Sequence, residues 1–253
     1  MSSHVGTAAA FWRRVRSPIE KTVARLSLVE DTPFLEPAQF AWMRGFESHW
    51  PEIKAEFDAA VDDGARPPNI QDILVGNREL VDDDRWKALI LVGYGFRIPA
   101  NCVRFPRTMA LVDAVPGVNS ALFSILRPGA RIPAHRDPYK GLVTYHLGLR
   151  VPTAATRCTL RVGAEERHWE EGRSLIFDPT HVHEVWNDTD EPRLIFFLDV
   201  VRPLRQPAAM VNRAVLKLIA LSPYVQDARR RQAAWDLAAG GPEGRADQPS
   251  STH

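Results

Sequence analysis

The sequence predicts a mainly β domain of the α+β class, a jelly-roll barrel or sandwich with helices before and after it. Short apolar segments at 120–126, 141–149, 159–162, 174–178, 183–186 and 193–200 alternate with turn signals such as Pro128-Gly129, Val162-Gly163 and Glu171-Gly172. Several short strands at this pace suit a barrel or sandwich rather than alternating β-α units. Helical periodicity flanks the run on both sides, and no repeat or linker divides the chain, so one domain is expected over 1–253.

In order, residues 1–36 form an N-terminal extension. Within it Phe11, Trp12, Val15, Ile19, Val23 and Leu26 recur at helical spacing, with Arg13, Arg14, Arg16, Lys21 and Arg25 between them. A basic amphipathic helix over 11–28 can lie on an anionic membrane; the alternative, which we favour, is a terminal helix packed on the domain, interrupted or restarted at Pro18. From Pro37 to Val61 the stripe Phe40, Met43, Phe46, Trp50, Ile53, Phe57 and Val61 reads as a core-facing helix ended near Gly64. Residues 67–84 read as a long loop with one helical turn, 86–96 as a strand, and 102–115 as a helix. The β core spans 86–203. Two helices follow in 204–240, and 241–253 reads as a polar, disordered tail.

Composition narrows the function. With 32 basic and 31 acidic residues, no whole-molecule field points to nucleic acid. Two cysteines, Cys102 and Cys158, build no disulfide framework and read as small buried hydrophobes. No apolar run approaches the roughly 20 residues that span a bilayer. Met1 to Ala10 lacks a basic stretch followed by an apolar one. A cytoplasmic location is expected, peripheral at the inner membrane face if the basic helix binds lipid.

The chemistry concentrates in His135-Arg136-Asp137 and in His183. In extended backbone, residues i and i+2 share a side, so His135 and Asp137 can meet one ion. His183 begins another strand, which in a jelly roll neighbours the first. Two imidazoles and one carboxylate with open positions suit non-haem Fe(II) and O2. His181 shares His183's side and reads as a loop or supporting residue. Arg193, at the start of an apolar strand, suits a buried carboxylate, which a guanidinium grips through two parallel hydrogen bonds; an edge arginine facing water is the alternative. Ser124 can donate a second bond to that anion. His146 sits in an apolar strand, either touching the same ligand or as a satisfied core histidine. Arg127, Arg131, Arg136 and Lys140 cluster near the His-x-Asp segment, either to attract an anionic substrate or as ordinary surface charge.

Five segments carry a resemblance: Phe123-Ser124-x-Leu126-x-Pro128-Gly129, Pro133-x-His135, His146-Leu147-Gly148-Leu149-x-Val151-Pro152, Trp169 through Asp178, and His183-Glu184-Val185-Trp186. Over roughly 86–203 the chain resembles the aspartyl/asparaginyl β-hydroxylase family of Fe(II)/2-oxoglutarate oxygenases and its bacterial lipid A hydroxylase branch. The resemblance implies a double-stranded β-helix and a reaction in which O2 and 2-oxoglutarate hydroxylate an unactivated C–H bond. By position it implies iron on His135 and His183, with Asp137 restoring a carboxylate where the eukaryotic peptide hydroxylases carry Gly. It further implies the distal carboxylate of 2-oxoglutarate on Ser124 and Arg193, and His146 near its chelating end. Thr144 stands where the family commonly has Arg, which weakens transfer of the peptide substrate. The expected substrate is an aspartyl- or asparaginyl-type group (peptide, free or carrier-bound), with a lipid acyl chain as alternative. A cupin-like metal-binding protein without oxygenase activity is the reading of another class, disfavoured by Arg193 with Ser124.

Overall fold

In the computed structural model, which describes residues 18–74 and 83–238, two antiparallel sheets face each other as a double-stranded β-helix. The expectations for 11–17 and 241–253 lie outside the described residues. Residues 18–26 form helix α1, followed by α2 (Met43–Ser48), α3 (Trp50–Asp62) and α4 (Ile70–Ile73). Next come β1 (Trp86–Gly93), β2 (Phe96–Arg97), α5 (Pro99–Cys102) and α6 (Pro106–Asp113). The strands of the barrel follow: β3 (Val118–Leu126), β4 (Arg131–His135), β5 (Leu142–Arg150), β6 (Cys158–Val162), β7 (Glu165–His168), β8 (Ser174–Phe177), β9 (His183–Asn187) and β10 (Arg193–Val201). Helices α7 (Ala208–Ala220) and α8 (Pro223–Ala238) close the described chain.

The larger sheet runs β2-β1-β3-β10-β5-β8 and the smaller β4-β9-β6-β7. Strand parity sorts the larger sheet's residues between two cores. Phe123, Tyr145, Leu147, Phe196 and Leu198 face outward onto α2, α3 and α6, where Met43, Phe46, Ile53, Phe57 and Met109 cover them. The opposite parity (Ser124, His146, Arg193, Ile195, Phe197) faces the barrel interior, opposite Ile132, Leu160 and Val185 of the smaller sheet. With both faces buried, the central strands read as continuous apolar runs, and the polar residues among them stand out.

Two expected helices are each divided. The stripe from Pro37 to Val61 is a 3-10 turn at Pro37–Gln39 followed by α2 and α3, separated at His49, just before Pro51 in the first turn of α3. Proline fits that first turn because its missing N–H has no partner to lose there. The stripe still faces the core from Phe40 to Phe57, but Val61 is exposed. Residues 102–115 are not one helix either: Pro106 begins α6 afresh after α5. The Glu56 carboxylate of α3 caps α6 from outside, accepting the amides of Arg107 (2.8 Å) and Thr108 (2.9 Å) and the Thr108 hydroxyl (2.7 Å). Strand β7 was not expected, because Glu165-Glu166-Arg167 at a sheet edge carries no apolar alternation. Helix α1 packs on the domain. Val23 is buried, Arg136 pairs with Glu20 at 2.7 Å, and the Leu28 amide reaches the Pro203 carbonyl.

Candidate active site

Strands β4 and β9 pair with His135 directly opposite His183. The register shifts between Ile132 and His135, an irregularity in β4. Ile132 and His135, three apart, would point to opposite faces in regular pairing; the extra residue turns both into the barrel. Each imidazole donates Nδ1–H to a carbonyl two residues back: His135 to Pro133 (2.8 Å) and His183 to His181 (3.0 Å). That pairing fixes the tautomer and leaves each Nε2 lone pair available. The rings lie 4.2 Å apart between centroids. Ligand atoms of His135, Asp137 and His183 all lie within 4.8 Å of one another, so the three expected residues converge and can hold one divalent cation. Burial, and then the neighbouring His135, lower the His183 pKa to about 4, which keeps it neutral and ligand-ready at pH 7.

A support beneath the three was not anticipated. The Asp137 amide donates to Pro179 O at 2.8 Å, so residues 178–181 hold both Asp137 and His183. Asp178 anchors that loop, accepting from Lys140 Nζ (2.6 Å), the Thr180 amide (2.9 Å) and hydroxyl (2.6 Å), and Arg202. Burial pushes its carboxyl up, but Arg202, Lys140 and Thr180 outweigh it and hold the pKa below its ordinary value. His181 groups with Asp31 and Asp178 and supports His183 through its carbonyl, the role expected for it. Asp178 was visible as the end of an apolar strand and of the family-like segment from Trp169, positions that named no partner.

Arg193 is neither an edge residue nor wet. It begins β10 between β3 and β5, is 1% exposed, and lies with its guanidinium 4.6 Å from the Trp169 ring centre. Nη2 donates to Ser124 Oγ at 3.2 Å, and Nε has no partner. No carboxylate pairs with it among the described residues. Burial lowers its pKa to about 10, leaving it cationic at neutral pH. Ser124 Oγ also accepts Trp86 Nε1 at 3.1 Å, so its own proton remains to be donated inward. His146 lies among Trp169, Phe177 and Phe197, buried, with Nδ1 unpartnered. It is thus not a satisfied core histidine. Burial, then Arg193 and His183, push its pKa well below the ordinary value, so it is neutral.

All six residues line one cavity of about 450 Å³. Beyond them its walls are mostly apolar, with Leu122, Ile195 and Phe197 from the barrel and Ile73, Leu216 and Val225 from the helices at its mouth. Asp199, also missed, lies on the wall, accepts the Thr144 hydroxyl at 2.7 Å, and has a pKa raised to about 7 by burial and then Asp137. The basic cluster does not face a substrate as free charge. Arg127 pairs with Asp84, Arg131 with Asp188, Arg136 with Glu20, and Lys140 with Asp31 and Asp178. Both cysteines are free thiols.

The chain is 37% identical over 204 residues to an ornithine lipid ester-linked acyl 2-hydroxylase of Rhizobium tropici, covering 81% of this chain and 73% of that one. It is 29% identical over 210 residues to human aspartyl/asparaginyl β-hydroxylase, covering 80% of this chain but only 26% of the human protein. A cupin 2 conserved barrel protein from Salinispora arenicola overlaps at a TM-score of 0.32 with 16% identity, covering 54% of this chain and 88% of that one. The fold rests on the strand order above rather than on so distant a likeness. The family model for aspartyl/asparaginyl β-hydroxylase matches residues 47–203, from the end of α2 through α3, α6 and the whole barrel, and the chain belongs to that hydroxylase family.

Proposed function

We propose that this protein is an Fe(II)- and 2-oxoglutarate-dependent hydroxylase acting on the acyl chain of a membrane lipid. The observation that carries the co-substrate is Arg193, a sealed cation without a counter-ion among the described residues, beside a serine whose proton is unused. Leaving a charge buried and unpaired costs several kcal/mol, on the order of 3–5, which an entering carboxylate offsets. The donor set fits: two imidazoles and a carboxylate for Fe(II), Arg193 and Ser124 for the distal carboxylate, and the unpartnered Nδ1 of His146 near the chelating end. When bound, Fe(II), 2-oxoglutarate and O2 supply the oxidising power, giving succinate and CO2 as one oxygen atom enters a C–H bond. The protein's own residues bind and orient. Trp169 beneath the guanidinium fixes the plane of its hydrogen-bonding fork. His183 and His135 are held by the carbonyls behind them, and the apolar walls keep water from the reacting carbon.

Those walls support the choice of substrate. They offer an alkyl chain apolar contact, and the basic residues outside are already paired. The R. tropici relative, matched over most of its length, carries an acyl hydroxylase name. We therefore put the acyl chain ahead of an aspartyl- or asparaginyl-type substrate. The test begins with anaerobic titration of Fe(II) and 2-oxoglutarate, read by the visible charge-transfer band. Expected are a band in the native protein, none in His183→Ala, and weakened co-substrate binding in Arg193→Ala. Mass spectrometry of a bacterial lipid extract after turnover should then show one added oxygen on an acyl chain. Absence of the band in iron-loaded protein would overturn the oxygenase reading. Oxygen added to an aspartyl peptide and not to lipid would overturn the substrate.

A further inference from the structure

Helix α7 lies between the cavity and solvent. On its inner side Leu216 and Ile219 line the cavity, continued by Tyr224 and Val225 of α8. Its outer side should be polar in a helix that only covers a core. Instead Met210, Val211, Leu218 and Leu221 are exposed, at 65%, 60%, 68% and 68%. With exposed Ala214 they fall at three- and four-residue steps, so they form one stripe along the helix. Arg213 and Lys217, one turn apart, flank this stripe along one margin. Helix α7 contains no acidic residue, and none occurs anywhere from 200 to 226.

We infer that α7 is a membrane-docking helix that lies in the plane of an anionic bilayer. The stripe from Met210 to Leu221 enters the boundary between headgroups and acyl chains, and Arg213 and Lys217 remain at headgroup level. An apolar stripe with cations on its margin matches such a surface in both hydrophobicity and charge. A protein partner would meet the stripe but would not explain the absence of any acidic group along it. Helix α7, with 13 residues, is too short to cross the bilayer by itself. No described helix is long and apolar enough to do so, and the pair α7–α8 that together reaches the length is bent by 56°. The arrangement sets the bilayer against the outer side of α7 while its inner side walls the cavity, so a chain need pass only the edge of one helix. The inference rests on the acyl-chain reading for its purpose but not for its test.

That test is flotation of the full chain with vesicles of phosphatidylcholine, with and without roughly one-third phosphatidylglycerol. The native protein should bind the anionic vesicles about tenfold more strongly than the neutral ones, and lose most of that preference at high salt. Leu218→Ser with Leu221→Ser should weaken binding to both kinds of vesicle, and Arg213→Gln with Lys217→Gln only to the anionic kind. Neither pair touches the cavity, so thermal melting and 2-oxoglutarate binding should stay at native values. Native protein that fails to float, or variants that float as well as native, would overturn the inference. Binding that depends on α7 supports it even where no lipid is hydroxylated, an outcome that removes only the acyl-chain substrate. Lipid hydroxylation on vesicles that both pairs leave unchanged removes only the docking helix.

Discussion

Two arginines are sealed inside this protein at equal depth, and their surroundings are opposite. Arg202, 1% exposed, is fully engaged: it pairs with Asp178, donates Nε to the Lys140 carbonyl at 3.0 Å, and reaches Ser27 Oγ. Arg193, also 1% exposed, has one long bond to a serine, an aromatic face, and an Nε with nothing to bond. A buried charge is tolerated when its partner is built in or arrives later. Arg202 is the first case and belongs to the architecture, tying β10 to the loop that holds Asp137 and His183. Arg193 is the second and belongs to the ligand.

The largest expected effect separates the two by stability. Arg202→Met takes from the buried Asp178 one of its two cations, leaving Lys140, and should cost about 3–5 kcal/mol in urea unfolding. Arg193→Met removes a charge that has no partner, and the ligand-free protein should be as stable as native or more so. Equal losses in both would mean that Arg193 has an internal partner, and the contrast would collapse. Next comes the ligand. Arg193→Met should raise the 2-oxoglutarate KM by a factor corresponding to about 2–5 kcal/mol, with Lys a poor substitute for the planar fork. Arg202→Met, in whatever fraction folds, should leave that KM near native.

Acid distinguishes the same two regions. The His183 pKa falls from 6.5 unfolded to about 4 folded, so the unfolded chain binds the extra proton between those values. Metal-free protein should hold this contribution fully above pH 6.5 and lose roughly 2–3 kcal/mol as pH falls toward 4. His146, shifted the same way, adds to the slope. Asp178 is held below its ordinary 3.8, so the Arg202 pair contributes fully above that value and fails only at lower pH. Between pH 6.5 and 4, Asp199, with its pKa raised to about 7, works the other way and stabilises the fold as pH falls. The expected readout is therefore the difference: urea midpoints of His183→Gln should drop less, or rise more, than native over that range, and share the decline below it. The smallest effect is Ser124→Ala: loss of one hydrogen bond to the co-substrate, about 1 kcal/mol, or a fivefold rise in its KM. No change would remove Ser124 from the carboxylate site.

The β core was legible because its strands are buried on one or both faces and bounded by turns, which leaves a direct mark in the residue order. The six site residues were legible for a related reason. A polar side chain in an apolar strand is conspicuous, and Ser124, His146 and Arg193 all carry the inward parity. The helix breaks before α3 and α6 were missed because an apolar stripe continues across them, while proline placement decides where each helix restarts. Asp178, Asp199 and Trp169 were missed as functional neighbours because their partners lie on strands distant in sequence. Of the two readings of the basic cluster, ordinary charge is the one the ion pairs favour: Asp188, Glu20 and Asp31 answer Arg131, Arg136 and Lys140 from elsewhere in the chain, which residue order does not show.

The irregularity between Ile132 and His135 acts like a reading frame for β4. Upstream of it the strand is phased by the barrel's apolar interior, and downstream by the metal-competent cluster. Deleting one residue at Pro133 or Ala134 would restore regular pairing and still leave Ile132 and His135 on one face, whereas regular pairing at the present length would turn His135 toward solvent. The extra residue and the register shift thus compensate each other, and a second inserted residue with no further shift would turn His135 out of the barrel while Ile132 keeps its place in the core.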